Sequence, residues 1–262
     1  MVAVLHAASG TSEPESIAAW LAALRGSYPD DDLDSFEAAA TYARERCRGQ
    51  PGRDGEPLID RAVGTAIILA GHKLDAATIR AALLIGLPAA HAFDADEVAA
   101  RFGDDAAALV AGVARMDEIR LLPGAGDANE RAAQSERLRK MLLAMVEDIR
   151  VVLIKLAERT QALRSLVTGD TTLRHQAARE VLDLFAPLAN RLGVWQLKWE
   201  LEDLSLRALE PESYKAIAKM LDERRLDRER YIEDVIAALK GELAAAGIRS
   251  DVKGRPKHIY SI

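Results

Sequence analysis

Residues 81–91 read AALLIGLPAAH, and the fold follows from how that stretch is read. Ala81, Ala82, Leu83 and Leu84 are the small and branched apolar residues of a buried helical turn. Asp75 stands upstream as a plausible N-cap for a helix running into Leu87, and Pro88 interrupts that helix or turns it. Ile85 and Gly86, which follow the buried turn, can neither bind a metal nor move a proton. The stretch predicts a packed helix inside a helical core, leading to a position without chemistry.

Composition extends the same reading to the whole chain. Its 262 residues exceed one typical domain, so a large domain with an extension, or two domains, is expected. Apolar residues make up 49%, mostly Ala and Leu, against 5% aromatics and 29% charged residues. Ala, Leu, Glu, Arg and Lys favour amphipathic helices over strands. A formal charge of −6 gives no general attraction for nucleic acid or anionic lipid and leaves a local basic patch open. Cys47 is the single cysteine, so neither an intramolecular disulfide nor a multi-cysteine zinc site can form, which suits a reducing compartment. The first residues lack the pattern of a secretory leader, and no run approaches the roughly 18 apolar residues of a membrane span. A soluble, cytoplasmic protein with no membrane partner is the expectation.

Outward from residues 81–91, helices are expected from Pro14 to about Arg25, from Asp30 to Arg48 and from Asp60 to about His72. GQPGRDGEP, 49–57, carries three Gly and two Pro and must be a loop. Further helices are predicted near 94–101 and 104–120, followed by a second loop at 121–130. Residues 131–167 read as helix in two pieces divided near Glu147 and Asp148. Ile149, Val152, Leu153, Leu156, Leu163 and Val167 mark one face of the second piece. A helix from Thr172 to Leu192 is closed by Gly193 in a left-handed turn. Trp195 to about Leu209 follows, with stripes of Leu197, Leu201 and Leu204 and of Trp195, Trp199 and Leu206 that predict packing on both sides. The last helices are Pro211 to about Leu226 and Arg228 to Ala246, stopped by Gly247. IRSDVKGRPKHIYSI, 248–262, then changes to Gly, Pro and β-branched residues, which suit an extended strand and a turn. A lone strand has no partners, so the chain reads as ending just inside a second domain.

Chemistry is sparse in these helices. None of His6, His72, His91, His175 and His258 sits beside an acid at the H-E-x-x-H spacing or pairs with another His at i, i+4, so the metal signal is poor. No nucleophile elbow, Walker loop or dinucleotide fingerprint occurs. The positive signal lies at the C-terminus. Lys253, Arg255, Lys257 and His258 surround Gly254 and Pro256, with Ser261 just beyond. Closely spaced cations in a Gly-containing turn suit phosphate oxygens, Arg by bidentate contact and Lys as a point charge; an ordinary basic turn is the other reading.

GRPKHIYSI, 254–262, LLAMVEDIRVVLIKLAERTQALRSL, 142–166, and FAPLANRLGVWQLKWELEDLSLRAL, 185–209, resemble the RelA/SpoT family of enzymes that make, and in many members degrade, the alarmone (p)ppGpp. The resemblance runs from about Leu58 to the last residue. It implies an all-α, HD-domain-like multi-helix bundle at 1–195, linker helices at 196–247, and at 248–262 the first strand of a truncated α/β synthetase domain. Hydrolytic members hold manganese through an early His, the run A-A-L-L-H-D, a nearby E-D pair and K-L-A-D-R-L-H-N. On this sequence the early His falls on Arg61, the His-Asp pair on Ile85 and Gly86, the Glu-Asp pair on Ala89 and Ala90, and the later Asp on Glu158. Only Glu158 keeps a metal-binding group, and one carboxylate is no divalent site. The resemblance therefore implies the pseudo-hydrolase of the RelA branch, with no catalytic residue and no metal in this region. A core needs only volume and pattern, whereas a metal site needs every ligand.

In that family the synthetase transfers pyrophosphate from ATP to GTP or GDP, with Mg²⁺ held beyond the present chain. By resemblance Arg255 and Lys257 would face ATP and Ser261 would bond a phosphate, a partial ATP site. Other implied partners are the synthetase domain itself, and the ribosome and tRNA through regions absent here. The leading reading is a regulatory, non-hydrolytic region of a GTP pyrophosphokinase in the bacterial stringent response, with no synthetase activity of its own. A guanine-nucleotide effector module that uses the vacated pocket, with Arg61 meeting a phosphate, is the alternative. Residual hydrolysis through an ion at Glu158 is the least supported, since acid–base work needs positioned groups.

Overall fold

The computed structural model describes residues 14–118, 148–223, 225–254 and 259–261. Its centre is set by α3 (Leu58–Gly71), whose apolar residues run around the whole helix: Leu58, Ile59, Ala62, Val63, Ala66, Ile68 and Leu69 are all buried. A helix apolar on every side has no face to give to water and must be surrounded. Against it pack α1 (Pro14–Leu24), α2 (Asp30–Arg46), α4 (Ala76–Leu84) and α8 (Ile149–Ser165), while α6 (Ala95–Phe102) packs on α7 (Asp104–Glu118), which in turn packs on α4 and α8. The described residues contain helices and two isolated bridges, and no sheet. The architecture is all-α.

Four helices begin with an aspartate whose carboxylate accepts a backbone N–H: Asp75 from Thr78, Asp94 from Glu97, Asp148 from Arg150 and Asp170 from Leu173. Asp75 caps α4 as expected. The break beyond α4 falls at Ile85, earlier than Pro88 suggested. Gly86–Ala89 then forms a separate turn, α5, and Pro88 is its third residue. There its missing N–H costs nothing, because the first donors of a helix have no partner in any case.

The helix expected at 172–192 is continuous but not uniform. It begins as α9 (Thr171–Glu180), widens into a π-helical turn (Val181–Phe185) and resumes as α10 (Ala186–Arg191). Pro187 explains the widening: its ring clashes with a regular preceding turn, and the π turn moves that turn aside. Gly193 follows at φ +70°, the left-handed conformation predicted for it.

Two expectations about faces are corrected. α8 buries Val151, Ile154, Lys155, Ala157, Glu158 and Thr160 as well as Val152, Leu156 and Leu163, while Ile149 is 47% exposed. The helix is wedged among α3, α7 and α11 (Trp195–Leu209), so it has no single inner face. Two glycines let it sit that close. A Cβ at Gly64 of α3 would meet the Gln161 side chain, and one at Gly112 of α7 would meet Val151 Cγ2 at 2.7 Å. On α11, Leu197 and Leu201 are buried, but Trp195 is 48% exposed and stacks on Trp199 at 6.3 Å between ring centres. Trp199 and Leu206 of that stripe are half-buried.

α12 (Pro211–Glu223) and α13 (Arg225–Ala245) complete the helices, the first ending somewhat earlier than the sequence suggested. The strand expected from residue 248 is absent among the described residues: 248–254 are irregular, and Ile259–Ser261 is a 3-10 turn. A single extended segment without a neighbouring strand leaves its backbone groups to water or to other partners.

Candidate functional site

The site builds up from the loop 47–57. Gly52 N–H donates to the Glu56 carbonyl at 2.7 Å and Leu58 N–H to the Gln50 carbonyl at 3.0 Å, which closes the loop over the start of α3. Asp54 and Glu56 are thereby set against Arg61, on the first turn of that helix. Arg61 Nε donates to Glu56 Oε2 at 3.0 Å, its Nη2 pairs with Asp54, and its Nη1 lies 3.7 Å from Glu158 Oε1 of α8. Glu158 also pairs with Lys155, whose side chain is 2% exposed and which pairs in turn with Asp117 of α7. Arg159 lies 3.7 Å from Asp117 and 3.9 Å from Glu180, with its guanidinium carbon 5.3 Å from the centre of the Phe185 ring. Gln161 Nε2 donates to the second oxygen of Glu56 at 2.6 Å.

One short stretch of α8, KLAERTQ at 155–161, supplies Lys155, Glu158, Arg159 and Gln161. Spacings of three and four set Lys155, Glu158 and Arg159 within reach of a common surface. Gln161 reaches Glu56 because Gly64 leaves a notch beneath it.

Burial alone would discharge such groups, so the pairing must overcome it. At Arg61 burial opposes the charge, but the carboxylates of Glu158, Asp54 and Glu56 outweigh it and raise its pKa above the ordinary Arg value. At Glu158 burial pushes the carboxyl up, and Lys155, Arg159 and Arg61 together bring it well below the usual carboxylate range. Glu56 goes the other way: burial dominates and raises it, despite Arg61 and Gln161.

The positions that the resemblance assigned to hydrolysis can now be located. Arg61 and Glu158 come together in this cluster. Gly86 is buried where a Cβ would stand 3.3 Å from both Cys47 Sγ and Leu58 Cβ. Ala90 is buried and Ala89 exposed, and Ile85 is half-buried. The residues do not fit a divalent manganese centre. A hard cation needs several imidazole or carboxylate ligands. At the positions that the resemblance assigned stand the guanidinium of Arg61, then Ile85, Gly86, Ala89 and Ala90, which offer no side-chain donor atom, and the Glu158 carboxylate already faces Lys155 and Arg61. The same geometry bears on Arg61 as a phosphate site, since its fork is directed at protein carboxylates.

Among the described residues no histidine joins the cluster: His72 is the C-cap of α3, His91 lies in the turn after α5 at φ +54°, and His175 is on α9; His6 and His258 lie outside the described residues. Of the partial ATP site, Arg255 and Lys257 lie outside the described residues, and Ser261 ends the 3-10 turn, half-buried. Asp54, Glu56, Lys155, Arg159 and Gln161 were not singled out from the sequence. The available signal was a pair of acids five and seven residues before Arg61, together with the K-x-x-E-R spacing on a helix otherwise rich in buried apolar residues.

Helix order and cluster define a class. The chain belongs to the HD-domain family, whose model matches residues 39–195. More particularly, it is the HD region of the RelA/SpoT family, being similar along its length to two kinds of relative. It is 42% identical over 265 residues to the GTP pyrophosphokinase of Escherichia coli (strain K12), covering 100% of this chain and 35% of that protein. Against the GTP pyrophosphokinase of Myxococcus xanthus the identity is 38% over 235 residues, 90% of this chain and 31% of the relative. Against the bifunctional (p)ppGpp synthase/hydrolase SpoT of Escherichia coli (strain K12) it is 39% over 234 residues, 89% and 32% respectively. The chain spans about a third of the length of these curated relatives. No helix of the described residues is long and apolar enough to cross a membrane.

Proposed function

We propose that this chain is the non-hydrolytic, regulatory HD region of a GTP pyrophosphokinase acting in the cytoplasm. The longer protein would make (p)ppGpp from ATP and GTP or GDP with Mg²⁺, and would meet ribosome and tRNA through its other regions. On this reading residues 1–195 form the HD-like unit, 196–247 the linker helices and 248–262 the start of the synthetase. The observation that carries it is Arg61. Where a hydrolytic relative would hold a metal-binding His, this protein has a cation already answered by Asp54 and Glu56 and facing Glu158. The cross-link between loop, α3 and α8 is then made by side chains, and the helical block is free to act through its shape. Its task would be to pack on the synthetase and bias that domain between states, which requires a difference in contact free energy and no reactive group.

Purified protein incubated with (p)ppGpp and Mn²⁺ should release no pyrophosphate above the rate in buffer, and should melt at the same temperature with and without chelator. Manganese-dependent release of pyrophosphate would overturn the proposal.

A further inference from the structure

α13 lies beyond residues 39–195, which the HD-domain model matches, and among the described residues it forms no extended packing with another helix. Its apolar residues nevertheless make a broad face. Ile232 and Ile236 are half-buried because the chain returns along them: a Cβ at Gly254 would stand 2.6 Å from Ile232 Cγ2 and 3.0 Å from Ile236 Cδ1. On the adjoining side Tyr231, Val235 and Leu239 follow at intervals of four, 69%, 37% and 47% exposed. Single apolar residues scattered over a surface need no explanation. A row of three at helical spacing, beside a second apolar row, is the pattern of a face that another element covers.

Two observations indicate what covers it. The chain spans about a third of the length of its curated relatives, so most of such a protein is additional to these 262 residues. The path of the chain also leads there. Having passed α13 at Gly254, it is held on α11 by the Tyr260 N–H, which donates to Asp203 Oδ1 at 2.9 Å. Gly254 and Tyr260 are six positions apart, a reach of at most about 20 Å, so polypeptide that continues from this turn starts close to α13. We infer that the row Tyr231, Val235 and Leu239 is a docking surface for the synthetase domain of the longer protein, and that α13 packs as part of that domain instead of spanning a gap as a linker. The inference rests on the proposed function and names its contact. Because α12 packs on α11 and α11 on α8, a continuous run of helices joins this surface to the charge cluster, and a difference in packing here is the kind that could bias the synthetase.

The test labels Leu239→Cys with a maleimide in the 262-residue chain and in the longer protein, with buried Cys47 as the internal sign of a folded bundle. The 262-residue chain should react at position 239 within about threefold of an unstructured cysteine peptide, and the longer protein at least about tenfold more slowly. Cys47 should stay unlabelled in both. Adding Val235→Glu should remove the slowing in the longer protein and leave Cys47 unlabelled. Equal labelling at 239 in the two proteins would overturn the inference and leave the non-hydrolytic reading standing. Slow labelling in both, with the 262-residue chain sedimenting as a dimer, would overturn it in favour of a second copy. A longer wild-type protein that makes no (p)ppGpp would remove the synthetase reading, and the inference with it.

Discussion

Lys155 and Glu158 on α8, and Glu212 and Lys215 on α12, are the same residue types at the same helical spacing in opposite surroundings. The first pair is 2% and 10% exposed for Lys and Glu; the second is 72% and 85% exposed. In water an ion pair gains little, because solvent already stabilises both charges. In a core neither charge survives without the other, so each becomes a fixed part of the packing. The comparison shows what burial adds: Arg61 and its carboxylates cross-link the 47–57 loop, α3 and α8 through side chains alone.

Removing one member of the buried pair gives the largest expected effect. Glu158→Ala leaves Lys155 short of a partner and Arg61 with one carboxylate fewer, and should destabilise the fold by about 3–5 kcal/mol in urea unfolding. A loss below about 1 kcal/mol would mean that the cluster is no more than a surface array.

Acid provides the next test. Against the opposing effect of burial, Lys155, Arg159 and Arg61 hold the Glu158 carboxyl below its ordinary range. Its contribution is therefore present above the ordinary carboxylate range and fades as pH falls through and below that range. Glu56, raised by burial, works in the opposite sense, because its protonation favours the fold. Unfolding curves between pH 6 and 2.5 should show Glu158→Gln with a flatter acid limb than wild type, and parallel limbs would contradict the assignment.

Smaller still is Gly64→Ala, in which the added methyl meets Gln161 and pushes it off Glu56. A cost of about 1–3 kcal/mol is expected from overpacking. Coupling should show in a double-mutant cycle with Gln161→Ala, and strict additivity would argue against it. At the far end, Lys215→Ala should change stability by less than about 0.5 kcal/mol. Cys47 sharpens the contrast without a mutation. Burial pushes its thiol up to about 11, so a thiol reagent at pH 8 should label it only as fast as the protein unfolds.

Much of this fold was legible because helices announce themselves locally. Asp75, Gly193 and the loop at 49–57 carry their conformations in their own covalent chemistry, and the structure places them where that chemistry puts them. The failures came where neighbours distant in sequence decided the matter. Ile149 reads as a core residue by periodicity and is half exposed, whereas Lys155, which the sequence did not single out, is buried. Trp195 and Trp199 promised a packed face and stack on each other instead. Pro88 predicts a break or a turn; the helix breaks at Ile85, and Pro88 lies in the short turn that follows, where a missing donor does no harm.

The residues at 61, 85, 86, 89 and 90 are Arg, Ile, Gly and Ala, none of which carries an ordinary metal-ligating side chain, and that much is read from the sequence alone. The partners of the buried charges were not visible. Asp54, Glu56, Asp117 and Glu180 come from a loop and two helices spread along the chain, and nothing local selects them as partners of Arg61, Lys155 and Arg159. By itself the sequence determined where most of the described helices form, because propensity and capping belong to single residues and their near neighbours. The tertiary structure alone decided which charges are buried together, because burial and pairing depend on packing between segments far apart in the chain.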